Sequence, residues 1–273
     1  MSQRVGFIGL GSIGKPMAAN VARAGHDLMV FDLRPEPVAE LASLGAKVAR
    51  NPHDIGRHAD IIELVVMDDA QVEAVTTGAG GVLETTRPGS IIVVHSSVLP
   101  ASVRALADAS ARRGVQVIDA PITGGITGAA KGTLCCMAGG DPQTLERCRP
   151  VLQAFASNIF HLGATGAGAT AKVAHNLIAY INRLAAAEGF ALAEKAGIDP
   201  RAFSQVVRLG GGQSMAADTW LERAMFRGDD ADWQDRMHRL FYKDLNLALA
   251  LGHELSLPLQ GGALALQSID KIM

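Results

Sequence analysis

Charged and aromatic side chains are both scarce in this chain. Of 273 residues only 19% are charged and 4% aromatic, and the formal net charge is −2. Average proteins carry about 25% charged residues, yet with 48% of its residues hydrophobic the chain has material for a substantial core, which excludes disorder. No excess of positive charge offers an electrostatic footprint for nucleic acid or an anionic membrane surface. Long apolar runs are missing too. Nothing approaches the ~18 consecutive apolar residues of a membrane span, and the run Val5 to Leu10 is too short and too glycine-interrupted for a secretory leader. Cysteine is limited to Cys135, Cys136 and Cys148, two of them adjacent, with no Cys-x-x-Cys pair to form a metal or redox motif. These absences point to a cytoplasmic globular protein of one large or two ordinary domains whose partner is a small molecule in a pocket.

Glycine, by contrast, is abundant at 30 residues. The first 160 residues alternate short apolar or β-branched runs with helix-like segments, the pattern of βα units feeding a mostly parallel sheet. Val5–Ile8, Leu28–Phe31, Ile61–Val66, Ile91–Val94 and Val115–Ile118 read as buried strands. Lys15 to Gly25 carries Met17, Val21 and Ala24 at helical spacing and closes on a glycine, which makes a crossover helix and completes one βαβ unit. After Gly163 the strand signal ends. Ala169 to Ala196 has high helix propensity and no proline, so it predicts a helix of about 40 Å. The expected architecture is a Rossmann-type doubly wound α/β sheet over residues 1–162, followed by an all-helical domain over 163–273. The long helix carries few charges on any face, so burial against other helices or a second subunit is expected, the latter in a homodimer or homotetramer.

Gly9-Leu10-Gly11-Ser12-Ile13-Gly14 stands directly after the first strand and before the first helix. A Gly-x-Gly-x-x-Gly in that setting cradles a pyrophosphate: Gly9 allows the tight turn, Gly11 the approach of backbone to ligand, Gly14 close helix–strand packing. Asp32 ends the second strand eighteen residues beyond Gly14, where a carboxylate accepts ribose hydroxyls of NAD and repels the extra phosphate of NADP. Arg34 keeps NADP as the alternative, since a guanidinium can pair with that phosphate. Flavin and S-adenosylmethionine proteins use similar loops, and an ordinary glycine-rich turn with a surface aspartate has the same residues.

Two further segments carry polar chemistry. In Asp119 to Leu134, Thr123 precedes Gly124 and Gly125, and paired glycines can turn successive N–H groups toward a carboxylate. The same residues also suit an ordinary loop. At the start of the long helix Lys172 and Asn176 are four apart on one face, with His175 beside it. A lysine and an amide on an otherwise apolar helix need partners or a wet cavity, unless the lysine snorkels at the helix end.

The glycine loop running into Lys15-Pro16-Met17-Ala18-Ala19-Asn20, then His95-Ser96-Ser97-Val98-Leu99-Pro100, Asp119–Leu134, Gly166–Asn176 and Lys243-Asp244-Leu245 stand in order and spacing across almost the whole chain. Together they resemble the β-hydroxyacid dehydrogenase family, which includes 3-hydroxyisobutyrate dehydrogenase and tartronate semialdehyde reductase. The resemblance implies Lys172 as the catalytic lysine and Asn176 as the residue that orients substrate. It implies a substrate carboxylate near Thr123, Gly124 and Gly125, with Ser214 as a further substrate contact. It places the cofactor on Gly9, Leu10, Gly11, Ser12, Ile13, Gly14 and Asp32, with Met67 and Ser97 on the nicotinamide side and Lys243 approaching from the helical domain. Thr123 departs from the serine usual there, keeping the hydroxyl and adding a methyl that narrows the pocket.

The implied activity is NAD(P)-dependent hydride transfer between nicotinamide and a short 3-hydroxy carboxylate or its semialdehyde, with Lys172 as general acid and base. An imine reductase-like enzyme is the alternative within the same class, and Lys172 counts against it. A non-catalytic dinucleotide-binding module is the alternative outside it. His175 is expected to pack or hydrogen-bond rather than move protons, because Lys172 already fits that role.

Overall fold

The computed structural model describes residues 2–222 and 231–272. The chain divides into two compact units, Met1–Lys172 and Val173–Met273. In the first unit the strands are β1 (Arg4–Ile8), β2 (Asp27–Phe31), β3 (Lys47–Val48), β4 (Ile61–Leu64), β5 (Ile91–Val94), β6 (Gln116–Asp119), β7 (Ile122–Thr123), β8 (Leu134–Gly139) and β9 (Ala156–Gly163). They form one sheet in the order β3-β2-β1-β4-β5-β6-β8-β7, with β9 also on β8. The run from β3 to β6 is parallel throughout. β8 then runs antiparallel to β6 and β7 and parallel to β9. This is the doubly wound order that places a binding crevice where the strand sequence reverses, outside the carboxyl ends of β1 and β4.

Strand periodicity explains why both faces of the sheet are apolar. Successive side chains point to opposite faces, and Ile61, Ile91 and Val93 accordingly join Val5, Phe7, Val30 and Phe155 in one buried cluster. Their neighbours Ile62, Leu64, Ile92 and Val94 join Ile8, Ile55, Val103 and Leu106 in the cluster on the other side. At about 25 cal/mol per Å² of apolar surface, fully burying each such side chain contributes roughly 1.5–3 kcal/mol. The uninterrupted Ile/Val runs were legible for this reason.

Helix boundaries follow capping chemistry. Asn51, Asp141 and Asp199 each cap a helix whose first residue is a proline, and their side chains accept from the backbone N–H groups of Asp54, Thr144 and Arg201. The first helix spans Gly14–Arg23, and Gly25 beyond it takes φ +82°, as the sequence predicted for a closing glycine. The sequence reading passed over β3, β7, β8 and β9. β8 reads Leu-Cys-Cys-Met-Ala-Gly, without a single β-branched residue, and β9 is mostly exposed, so neither shows the signal of a buried strand.

Beyond Gly163 the described residues are helical, the longest helix being Ala167–Lys195, close to the expected 169–196. In the second unit Tyr180, Leu184, Phe241, Leu245, Ala265 and Ile269 form one core, with the Tyr180 and Phe241 rings 4.6 Å apart. Phe190 packs with Ala186, Ala216 and Ala217 in another. Among the described residues no helix is long and apolar enough to cross a membrane, and no group of His, Cys, Asp or Glu could hold a metal ion.

Candidate functional site

The glycine loop leaves the end of β1 with Gly9 at φ +94°. A Cβ on Gly9 would lie 2.2 Å from the Val65 carbonyl oxygen, and one on Gly14 would lie 2.0 Å from the Gly9 carbonyl oxygen. Those two glycines are required by the protein's own packing. At Gly11 a Cβ would meet nothing within 4 Å, so that glycine fronts open space. Ile13, at the N-cap of the helix Gly14–Arg23, supplies no side-chain acceptor, and the first turn carries no acidic residue. A helix N-terminus of this kind, approached through a bare glycine, fits a pyrophosphate.

Asp32, just past β2, is tied to the same loop. Its Oδ2 accepts the Leu10 N–H at 2.6 Å, and its Oδ1 accepts the Arg34 N–H at 2.9 Å and Arg34 Nε at 3.2 Å. The Arg34 guanidinium also reaches the Leu10 carbonyl oxygen at 3.1 Å. Burial alone would push the Asp32 carboxyl up, but the hydrogen bonds from Arg34 and Leu10 outweigh it and hold the group below the usual range. Met67 follows β4, half exposed, and Ser97 follows β5. Between them Ser96 Oγ accepts the Val66 N–H at 2.9 Å and joins the two strand ends. The structure thus brings Gly9 to Gly14, Asp32, Met67 and Ser97 to one edge of the sheet.

At the end of β6, Asp119 is fully buried. Its two carboxylate oxygens accept the N–H groups of Gly166 and Ala169, each at 2.8 Å, at the start of the long helix. The sequence reading gave this aspartate no role. Lys172, one turn further on, donates from Nζ to the Ile122 carbonyl oxygen at 2.7 Å. Thr123 follows immediately, and Gly124 and Gly125 take φ values of +124° and +65°, a bend that L residues rarely adopt.

In the helical unit, Asp244 organises the polar residues. Its Oδ2 accepts from Asn176 Nδ2 and from the Tyr180 hydroxyl, both at 2.8 Å, and Lys243 Nζ lies 2.9 Å from its Oδ1. Burial, and then the Asp244 charge, push the Tyr180 hydroxyl's pKa far up, so it stays a hydrogen-bond donor. His175 Nδ1 lies 3.1 Å from Asn176 Oδ1. Ser214 accepts the Ala217 N–H at 3.2 Å and caps the helix Met215–Asp218. Asp244 was quoted in the sequence only as part of a motif, because a buried acid between helices leaves no spacing signature.

A third buried acid was missed altogether. Glu63 on β4 and His95 after β5 have no solvent exposure, and His95 Nε2 contacts Glu63 Oε2. His95 Nδ1 lies 2.6 Å from the Ala120 carbonyl oxygen, so Nδ1 carries hydrogen and donates to it. Nε2 and Oε2 then satisfy each other in the core. All three cysteines are free, and burial pushes each thiol's pKa up, which leaves no thiolate nucleophile among them.

Comparison with known proteins agrees with this geometry. Residues 4–163 match the family model for the NAD binding domain of 6-phosphogluconate dehydrogenase, and residues 166–272 match that for the NAD-binding region of NADP-dependent 3-hydroxyisobutyrate dehydrogenase. The 2-(hydroxymethyl)glutarate dehydrogenase of Eubacterium barkeri is 37% identical, over 98% of this chain and 89% of its own. The 2-hydroxy-3-oxopropionate reductase of Escherichia coli K12 is 38% identical, over 95% and 88%. Among solved structures, the 3-hydroxyisobutyrate dehydrogenase of Mycobacterium tuberculosis with L-serine has a TM-score of 0.87 at 31% identity, over 98% of this chain and 92% of that one. An imine reductase structure from Pseudomonas, at 19% identity and a TM-score of 0.69, shares the fold alone.

Proposed function

Because the chain belongs to the β-hydroxyacid dehydrogenase family and is an NAD(P)-dependent oxidoreductase, we propose that it acts on a short 3-hydroxy carboxylate or its semialdehyde, with Lys172 as general acid and base. The observation that carries this reading is the 2.7 Å contact from Lys172 Nζ to the Ile122 carbonyl, one residue before Thr123, Gly124 and Gly125. A proton carrier beside a loop suited to a carboxylate is what the reaction needs.

The bound nicotinamide supplies or takes the hydride, and the protein orients the substrate and manages one proton. In the reducing direction the Lys172 ammonium gives its proton to the aldehyde oxygen as that oxygen becomes a hydroxyl. In the oxidising direction the Lys172 amine takes the hydroxyl proton. The Thr123 hydroxyl and the N–H groups of Gly124 and Gly125 hold the substrate carboxylate. Asn176 lies one helical turn from Lys172 on the same face and steadies the reacting oxygen. Its amide is set by Asp244. Lys243 lends positive charge to substrate or cofactor, and Ser214 is a further substrate contact beside its capping role. Gly9 to Gly14 and Asp32 hold the dinucleotide, NAD first and NADP as the alternative, with Met67 and Ser97 along the nicotinamide.

Leu192, Val206, Leu209 and Met215 are largely exposed on the helical unit, which supports a homodimer or homotetramer. Three free thiols and no span-length apolar helix among the described residues accord with a cytoplasmic enzyme. The test is nicotinamide absorbance with NAD or NADP against a panel of 3-hydroxy acids and semialdehydes. Turnover on a short member supports the reading. Cofactor binding with turnover on none would favour a non-catalytic dinucleotide-binding module.

A further inference from the structure

We infer that Asp119 is a positioning residue for Lys172, setting the start of the long helix so that the ammonium meets the loop Ile122 to Gly125; this rests on the proton-transfer role proposed for Lys172. The placement is unusual for an acid. Asp119 is fully buried, and its carboxylate oxygens are divided between two backbone donors, Gly166 N–H and Ala169 N–H, each at 2.8 Å. A helix N-terminus compensates such a charge through its unpaired N–H groups and dipole.

The socket around Asp119 admits little slack. A Cβ on Gly168 would lie 2.1 Å from the Met137 carbonyl oxygen and 2.7 Å from that of Asp119, and one on Gly139 would lie 2.8 Å from Asp119 Oδ1. Backbone therefore packs on backbone here, and the carboxylate fixes both the axial position and the rotation of the helix's first turn. Lys172 lies three residues past Ala169, and Ile122 three residues past Asp119. The two contacts, Asp119 to the helix start and Lys172 to Ile122, thus join the same two short segments at neighbouring points. A single bond would leave the helix free to turn about it. Together they set where the lysine reaches the Thr123 loop.

Asp119→Asn keeps the side-chain shape but replaces one acceptor oxygen by a donor. The amide's Nδ2 would face a backbone N–H, leaving that donor unpaired in the core.

The experiment compares the wild type, Asp119→Asn and Lys172→Ala in steady-state turnover, NAD titration and solvent deuterium isotope effect on kcat. Displacing a reacting group by about 1 Å costs on the order of 100-fold in rate, so Asp119→Asn is expected to lower kcat roughly 10- to 100-fold. NAD affinity should move less than about twofold, and the solvent isotope effect should rise as proton transfer becomes slower. Should Asp119→Asn not fold, Ala169→Pro deletes one of the two donors at the third residue of the helix, whose N–H has no intrahelical partner, and the same pattern is expected with a smaller loss. A variant that is less heat-stable yet keeps wild-type kcat and isotope effect overturns the inference, leaving Asp119 a structural cap only. If Lys172→Ala itself keeps wild-type turnover, the proton-transfer reading fails first and the inference falls with it. Loss of turnover in Lys172→Ala with none in Asp119→Asn refutes the inference alone.

Discussion

The Leu10 N–H donates to Asp32 Oδ2 at 2.6 Å, so the glycine loop and the end of β2 move as one piece. The pyrophosphate and ribose subsites proposed for these two segments are thus joined by a direct hydrogen bond. Replacing Asp32 by alanine removes the acceptor for Leu10 and releases the Arg34 guanidinium, now 3.2 Å from Oδ1. Hydrogen bonds to charged groups contribute about 1.5–3 kcal/mol, so NAD affinity should fall roughly 10- to 100-fold while the NADP-to-NAD affinity ratio rises. Titration of both dinucleotides checks this. Because the folded Asp32 pKa is depressed, the ionised group's stabilising contribution is present above its unfolded pKa and is lost only as pH falls through the lower folded value. NAD preference should accordingly hold through mildly acidic pH.

Gly11 and Gly14 should separate ligand binding from folding. Gly11→Ala adds a methyl that meets no protein atom within 4 Å, so thermal stability should stay near wild type while NAD affinity drops. Gly14→Ala drives a Cβ to 2.0 Å from the Gly9 carbonyl oxygen and should yield little folded protein. Melting curves with and without NAD distinguish the two. Equal affinity for NAD in Gly11→Ala and wild type would move the dinucleotide away from this loop.

Glu63 and His95 form a buried pair whose side chains have no access to water. Breaking one partner of a buried pair costs about 3–5 kcal/mol, because the other is left unsatisfied. Glu63→Ala should lose about that much in denaturant unfolding, and Glu63→Gln, which keeps volume and a hydrogen bond to His95, should lose less. An alanine variant as stable as the wild type would show that the pair contributes nothing to the core.

Asp244 holds Asn176, Tyr180 and Lys243 through its two carboxylate oxygens. Asp244→Ala removes the carboxylate that all three side chains share, and kcat/KM for the hydroxy acid should fall on the order of 100-fold. Steady-state kinetics at saturating NAD reads the effect.

Legibility in the sequence followed physical cause. β1, β2, β4, β5 and β6 were readable because strands inside a sheet covered on both faces are short apolar runs, continuous in β5 (Ile91–Val94). The glycine loop was readable because turn, ligand approach and packing each demand a missing Cβ at fixed spacing. β8 was not, since Leu134 to Gly139 is held by its neighbours and not by its own propensity. Asp119, Glu63 and Asp244 were equally silent as site residues. Asp119 and Glu63 are defined by partners at least 32 residues away in the chain, and Asp244 by Asn176 and Tyr180, still further off, so nothing local separates such an acid from one on the surface. Lys172 and Asn176 stood out only because charge and amide are rare on that helix.

Lys172 carries the central claim, and single-turnover kinetics of Lys172→Ala with bound NAD and a short 3-hydroxy acid tests it most directly. General acid–base catalysis contributes about 10²- to 10⁴-fold, so the rate of hydride transfer should fall by that range with NAD affinity unchanged. A wild-type rate in Lys172→Ala would contradict the account.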